Sequence, residues 1–172
     1  DTFYGKQAGY LEQAKIPGAW AKTTGSKDVV IAVIDSGVDM DHPDLIGNMW
    51  FNPGEVALNG LDDDNNGYVD DLNGWDFLAE SSDPHPKFTG EITFAGINHG
   101  TSVAGVMAAV SNNNEGLAGV CWHCKIMALR AVDAMGTGDT QDGARAIRYA
   151  IANRAAIINM SFVGSLTDAI MS

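Results

Sequence analysis

The feature that most constrains the fold is the run Asp28–Ile34, whose sequence is DVVIAVI. A short, nearly continuous run of β-branched apolar residues is typical of a strand that is buried on both faces of a parallel sheet. The runs Lys125–Val132 and Ala156–Met160 have the same character. Together they predict a parallel sheet with both faces covered.

Helical patterns separate these strands. Gly100–Val110 is small and apolar almost throughout, as expected of a buried helix, and Thr140–Asn153 carries apolar residues at helical spacing behind a capping Asp139 or Thr140. An earlier helix is expected around Gln7–Trp20. Strands that alternate with helices predict an α/β fold with right-handed crossovers and active residues at the carboxyl ends of the strands.

The chain has 172 residues, 45% hydrophobic residues and a formal net charge of −12. The charge argues against nucleic-acid and anionic-membrane partners, and no stretch approaches the roughly 18–20 apolar residues of a membrane span. Between Lys27 and Lys87 there is no Lys or Arg, but there are 14 Asp and Glu residues. That block is either a solvated acidic surface or a region neutralised by cations.

Residues 47–97 interrupt the α/β pattern with a long segment rich in Gly, Asn, Asp and Pro, which we interpret as an elaborated insertion. Within it, the stretch 61–71 reads LDDDNNGYVDD. Oxygen ligands at alternate positions, followed by a glycine and a backbone carbonyl, are typical of the first half of an EF-hand-type calcium loop. The predicted Ca²⁺ ligands are Asp62, Asp64, Asn66 and the Tyr68 carbonyl, with Asp70 or Asp71 to close the shell, because Asn73 stands where that motif has Glu.

Cys121 and Cys124 form a C-W-H-C motif. Such a pair can be a redox motif, half of a zinc site or a local disulfide. No second pair with zinc-finger spacing follows, and the motif runs into a strand-like segment, whereas a low-pKa redox cysteine would open a helix. The favoured interpretation is a short structural disulfide in an exported protein, ahead of a thiol redox function.

Two motifs carry the potential chemistry. Asp35 follows the first predicted strand in V-I-D-S-G-V-D, and His99 opens the predicted helix of N-H-G-T-S-V-A-G. Each alone has an ordinary explanation, the first as a turn residue and the second as a capping or packing histidine. Taken together, a buried aspartate can accept from one imidazole nitrogen, fix the tautomer and orient the other nitrogen as a base.

These motifs resemble the aspartate and histidine signatures of the subtilisin-like serine protease family, the subtilases, and I-I-N-M-S-F (157–162) resembles the strand that lines the family's substrate cleft. The resemblance extends from about Ala19 to Ser172. It implies a three-layer α/β/α sandwich, with residues 1–172 as the N-terminal part of one catalytic domain. It also implies a secreted, calcium-dependent serine endopeptidase that acts on polypeptides.

The resemblance assigns roles to individual residues. Asp35 would orient His99, which would act first as the general base and then as the general acid. Two segments would pair with the substrate backbone as neighbouring strands; they are Gly136, Thr137 and Gly138, and Ser161, Phe162 and Val163. The family usually has glycine where Val163 stands, which affects the expected shape of the pocket. Asp44, in H-P-D-L, matches a further family calcium ligand.

The family's serine motif, G-T-S-M-A, and its oxyanion-hole asparagine both lie later in the family than the motifs found here. Ser102 stands in a similar G-T-S-V-A, but it follows His99 by three residues on the same predicted helix and is expected to pack there. The chain is therefore predicted to be inactive without a C-terminal half of the domain. The alternative is a pseudo-protease, a non-catalytic module that retains only the peptide-binding cleft.

Overall fold

The structure is a computed structural model that describes residues 1–88 and 94–162. Val163, one of the residues predicted to line the substrate cleft, lies outside the described residues. No helix in the described part is long and apolar enough to cross a membrane.

The predicted α/β fold with a parallel sheet is confirmed. Within the described residues the sheet has the strand order β2-β3-β1-β4, and every pair of neighbours is parallel. The strands are β1 (Val30–Asp35), β2 (Gly74–Asp76), β3 (Lys125–Arg130) and β4 (Ile157–Met160). β3 and β4 fall inside the apolar runs, and β1 extends one residue beyond its run, to Asp35. β2 lies inside the segment that we interpreted as an insertion. That segment therefore supplies part of the sheet as well as loops.

The helices also follow the sequence pattern, with one correction. They are α1 (Tyr4–Gln13), α2 (Ile16–Trp20), α3 (Phe94–Ile97), α4 (His99–Ala108) and α5 (Thr140–Ala152), together with a 3₁₀ turn at Ile46–Asn48. The single helix expected around Gln7–Trp20 is wrong, because Lys15 adopts a left-handed conformation with φ of 58°. A second helix then begins at Ile16, with Pro17 in its first turn. At the start of α5 the cap is Asp139, whose carboxylate accepts the Gln141 amide at 2.8 Å.

The sheet is covered on both faces, because its side chains alternate in direction. On β1, Ile31 and Val33 pack with Ala104 and Ala108 of α4 in one core. Ala32 and Ile34 pack with side chains of α5, chiefly Ala146, Tyr149 and Ala150, in the other core. Because both cores are apolar, the strands read as continuous hydrophobic runs, and the described residues form helix, sheet and helix layers.

Cys121 and Cys124 are joined by a disulfide with a Cα–Cα distance of 5.5 Å, as the sequence led us to expect. The loop that it closes packs Trp122 against Trp20, with ring centroids 5.2 Å apart. Gly25 lies directly against it, since a Cβ at this position would fall 2.0 Å from the Cys121 sulfur. The backbone of Gly25 also has φ of +92°, so the approach of this segment to the disulfide requires glycine.

Candidate active site

Asp35 is the last residue of β1 and is almost fully buried, with 1% of its surface exposed. The Ser36 amide donates to its Oδ1 at 2.7 Å. Arg130 occupies the paired position on β3, and its guanidinium is bound by both carboxylate oxygens of Asp76 on β2, at 2.9 and 3.0 Å. A row of charged side chains therefore crosses the carboxyl end of the sheet, where α/β folds place their active residues.

His99 opens α4 directly above this row. Its Nδ1 lies 2.8 Å from Oδ1 and 2.9 Å from Oδ2 of Asp35. When this carboxylate is ionised it can only accept, so Nδ1 of a neutral imidazole must donate to it and Nε2 then has the free lone pair. The His99 side chain is 46% exposed, which leaves the ring accessible from the cleft. This arrangement can remove a proton from a group that enters the cleft.

A close helix–strand approach makes this contact possible. A Cβ on Gly100 would lie 2.3 Å from the Gly37 carbonyl oxygen and 3.0 Å from Cβ of Asp35. The Gly100 amide also donates to the Ser36 hydroxyl at 3.3 Å. The glycine that follows His99 is therefore needed to bring α4 against the end of β1.

The dyad opens into a cleft of about 170 Å³. Among the residues predicted to bind substrate, Gly136, Ser161 and Phe162 line it together with Asp35 and His99. Thr137 and Gly138 continue the same loop beyond the lining. Val132, Asp133 and Met135 also line the cleft, although the sequence analysis did not single them out. Their position between β3 and the glycine-rich segment is the signal that could have identified them.

Ser102 does not line this cleft. It lies on the exposed side of α4, where it borders a separate cavity of about 390 Å³ with His42 and Leu117. The expectation that Ser102 packs within the helix layer is wrong, because the side of α4 that carries it faces away from the sheet. The position of Ser102 gives it no part in the Asp35–His99 site.

The acidic loop gathers three carboxylates, those of Glu55, Asp62 and Asp64, and each offers an oxygen within 4.8 Å of the others. Glu55 was missed by the sequence analysis because it precedes the motif. Its Oε1 accepts the amides of Asp63 and Asp64 at 3.0 and 3.3 Å, which holds it against the loop. This donor set consists of oxygen alone, the chemistry that Ca²⁺ prefers.

The other predicted ligands surround this cluster. Asn66 donates from Nδ2 to Asp64 at 3.1 Å and to Asp71 at 2.9 Å, and it accepts the Tyr68 amide at 2.7 Å. Asp71 is fully buried and accepts the Tyr149 hydroxyl, and its burial raises the pKa of this carboxyl. Asp70 turns away.

Asp70 caps a neighbouring turn through the amides of Asn59 and Gly60, at 3.0 and 2.9 Å. Of the two carboxylates considered for closing the shell, Asp71 is therefore the one that contacts Asn66. Asp44 lies in another part of the chain, where its carboxylate accepts the Asn113 side chain at 2.9 Å and the Leu117 amide at 2.7 Å. These contacts do not bring Asp44 to the acidic loop.

Comparison with known proteins identifies the family of the chain. A family model described as the subtilase family matches residues 26–172. The halolysin-like extracellular serine protease Nep of Natrialba magadii is 38% identical over 161 residues, which is 94% of this chain and 25% of that protein. The thermophilic serine proteinase of Bacillus sp. strain AK1 is 37% identical over 158 residues, which is 92% of this chain and 30% of that protein.

Among solved structures, a protease of Pseudoalteromonas arctica superposes with a TM-score of 0.69 and 30% identity, covering 94% of this chain and 50% of that one. A lanthipeptide protease shares the fold, with a TM-score of 0.51 and 24% identity over 83% of this chain and 31% of that one. The chain spans between a quarter and a third of the length of the two curated relatives named above.

Proposed function

The chain belongs to the subtilase family, and we propose that it is the N-terminal part of a serine endopeptidase that cleaves peptide bonds with an Asp–His–Ser triad. The observation that carries the proposal is the contact between a buried Asp35 and Nδ1 of an accessible His99, at 2.8 and 2.9 Å. Asp35 and His99 would be two of the three members of the triad, and the attacking serine is the third.

In the proposed reaction, Nε2 of His99 removes the hydroxyl proton of a serine as its oxygen attacks the carbonyl carbon of the substrate. His99 then gives that proton to the departing amine as the carbon–nitrogen bond breaks and an acyl-enzyme remains. A water molecule, deprotonated in the same way, hydrolyses the ester and restores the serine. Asp35 keeps the imidazole in the required tautomer and stabilises its positive charge.

The cleft supports a peptide as the substrate. Gly136 follows β3, and Ser161 and Phe162 follow β4, the two strands that flank β1. A peptide placed between these segments would pair with backbone on both sides, so that main-chain hydrogen bonds provide affinity and the pockets provide side-chain preference. We propose that the substrate-binding segments are Gly136–Gly138 and residues 161–163.

We propose that the nucleophile lies in sequence beyond Ser172, in the family's G-T-S-M-A motif. Ser102 lies outside the cleft, and Ser36 and Ser161, which line it, do not stand in such a motif. The 172 residues alone should therefore not hydrolyse a chromogenic peptide at a protease-like rate. Turnover by this chain, abolished by a serine-directed fluorophosphonate, would contradict that expectation. A longer protein without an in-frame G-T-S-x-A motif would instead support the pseudo-protease that binds peptides without cleaving them.

We also propose that the acidic loop holds Ca²⁺. Glu55, Asp62 and Asp64 offer converging oxygens, and Asn66, the Tyr68 carbonyl and Asp71 are the remaining candidates. The buried Asp71 carboxyl has a raised pKa, and a nearby cation would favour its ionised form. When bound, the ion would neutralise the loop and fix its backbone, and it would take no part in peptide hydrolysis. Asp44 is retained as a candidate for a separate site.

We further propose that the protein is secreted. The disulfide between Cys121 and Cys124 is of the kind that persists in oxidising compartments. The name of the relative from Natrialba magadii describes that protein as extracellular. A titration for free thiols in the native protein tests the disulfide on which this proposal rests.

A further inference from the structure

One side chain closes the turn between β3 and α5. Oδ1 of Asp133 accepts the amide of Met135 at 2.8 Å and the amide of Thr137 at 2.9 Å. The Asp133 amide donates to the Thr137 carbonyl at 2.8 Å, and the Gly136 amide donates to the Asp133 carbonyl at 3.0 Å. The turn from Asp133 to Thr137 is therefore held by four hydrogen bonds that all involve Asp133.

These four hydrogen bonds determine which backbone groups of residues 136–138 remain available to pair with a peptide. Both backbone groups of Thr137 and the amide of Gly136 are used inside the turn. The Gly136 carbonyl and the Gly138 amide have no hydrogen-bond partner in residues 1–88 and 94–162. A strand pairs with a neighbour through alternate residues, so a carbonyl at 136 and an amide at 138 form the edge that an extended peptide needs.

The turn is also fixed against the end of the sheet. Gly136 has φ of +77°, and a Cβ on Gly138 would lie 2.2 Å from the Ala131 carbonyl oxygen. Glycine is therefore required at both positions, one for the backbone conformation and the other for the close approach. Gly136 and Asp133 both line the cleft beside His99.

We propose that Asp133 is a positioning residue for extended substrates. By taking up both backbone groups of Thr137, it directs the Gly136 carbonyl and the Gly138 amide toward a bound peptide strand. This inference rests on the proposed peptidase function and names the residue that sets the geometry of its substrate-binding edge. Asp133 acts on residues of the substrate away from the scissile bond, so it should influence extended peptides and leave the reacting atoms undisturbed.

The test uses the full-length protein and two p-nitroanilides with the same residue X, the one after which the wild-type protein cleaves fastest. One is succinyl-Ala-Ala-Ala-X-p-nitroanilide, and the other is acetyl-X-p-nitroanilide. Asp133→Ala should lower the ratio of kcat/KM for the long substrate to that for the short one by about tenfold, mainly through KM, because hydrogen bonds to the peptide are lost. Asp133→Asn should stay within about threefold of wild type, since its carbonyl oxygen can accept the same two amides.

The ratio is measured on a single sample, so a partly unfolded variant does not change it. Asp139→Ala is the matched control, because Asp139 caps α5 with the same kind of bond to Gln141, at 2.8 Å, and does not line the cleft. If Asp133→Ala yields no active protein, Asp133→Ser, which can accept one amide, should give an intermediate loss.

The possible failures are distinguishable. If the wild-type protein cleaves both substrates and Asp133→Ala or Asp133→Ser keeps the wild-type ratio, the inference is overturned and the peptidase function stands. If the wild-type protein cleaves neither substrate, the proposed function fails, and the inference that rests on it fails as well.

Discussion

Asp35 and His99 are 64 residues apart in the sequence, yet both carboxylate oxygens of the first lie within 2.9 Å of Nδ1 of the second. The carboxylate is buried and the imidazole is half-exposed. The aspartate is therefore held by the sheet while the histidine reaches the cleft. Because Asp35 is buried and only His99 reaches the cleft, we expect Asp35 to affect the chemical step through the orientation and charge of His99.

Asp35→Asn should lower kcat of the full-length protein by about 10⁴-fold with little change in KM, because an amide cannot hold the productive tautomer. The measurement is steady-state hydrolysis of a peptide p-nitroanilide. Asp28→Asn is the matched control, since Asp28 is exposed just before the other end of β1 and should leave kcat unchanged. If the kcat of Asp35→Asn stayed within tenfold of wild type, Asp35 would not have the proposed role in the reaction.

Calcium should stabilise the native state by about 4 kcal/mol at roughly a thousandfold excess over its dissociation constant. Chelation should therefore lower Tm and increase proteolytic cleavage within residues 47–97. Asp64→Ala should abolish most of the difference between calcium-loaded and chelated protein. Asp63→Ala should not, because that carboxylate instead contacts Val56 and Asn59, at 3.1 and 2.9 Å.

Glu55 extends the calcium prediction to a residue that only the fold brings to the site. Glu55→Gln should weaken calcium binding by at least about tenfold in a calorimetric titration, because it removes one charged ligand. Glu115→Gln removes an equal charge from an exposed position and should leave the affinity unchanged. The same Tm with and without chelator in the wild-type protein would refute the site altogether.

Glu80 and Arg145 connect residues 47–97 to α5, with Oε2 of Glu80 2.8 Å from the guanidinium. The hydrogen bond from Arg145 lowers the pKa of Glu80 below its ordinary value of 4.5. A lowered folded-state pKa means that the pair stabilises the protein above pH 4.5 and that this contribution is lost as the pH falls through the folded-state value.

Glu80→Gln should therefore cost no more than about 1 kcal/mol at pH 7, since the pair is largely exposed, and less at pH 3, where part of the contribution is lost. The measurement is the free energy of unfolding of wild type and variant at both pH values. Glu115→Gln is again the control. An equal cost at pH 3 and pH 7 would show that the carboxylate charge does not contribute.

Reduction of the disulfide between Cys121 and Cys124 should destabilise the protein by about 2 kcal/mol, the value expected from chain entropy for so short a loop. The native protein should show no free thiol before reduction. Urea unfolding of oxidised protein and of reduced, alkylated protein gives the difference. Two titratable thiols in unreduced protein from an oxidising compartment would contradict the bond.

The sequence predicted those parts of the fold in which local pattern and tertiary burial agree. The run Asp28–Ile34 is apolar because both faces of β1 are covered, so the pattern alone was sufficient. Strand β2 has only three residues, and it is a strand because of its pairing with β3, which no local pattern reveals. The expected first helix ends before Lys15, whose backbone is left-handed with φ of 58°. A lysine side chain gives no sign of that conformation in the sequence.

The candidate site divides in the same way. Asp35 and His99 stand in motifs that resemble the aspartate and histidine signatures of the family, so both could be predicted before the fold was known. The Glu55 carboxylate accepts the Asp63 amide eight residues further on, and the Asp133 carboxylate accepts the amides of Met135 and Thr137 within a local turn. Neither residue stands at a ligand or catalytic position of a recognisable motif, and their roles follow from geometry alone.

The proposed triad of Asp35, His99 and a later serine is tested most directly by labelling the full-length protein with a fluorophosphonate. Mass spectrometry then locates the adduct. We expect a single modified serine beyond residue 172, with labelling slowed by at least about 10³-fold in His99→Ala, because the hydroxyl then loses its base. An adduct on Ser102, labelling that does not depend on His99, or no adduct at all would contradict the proposed triad.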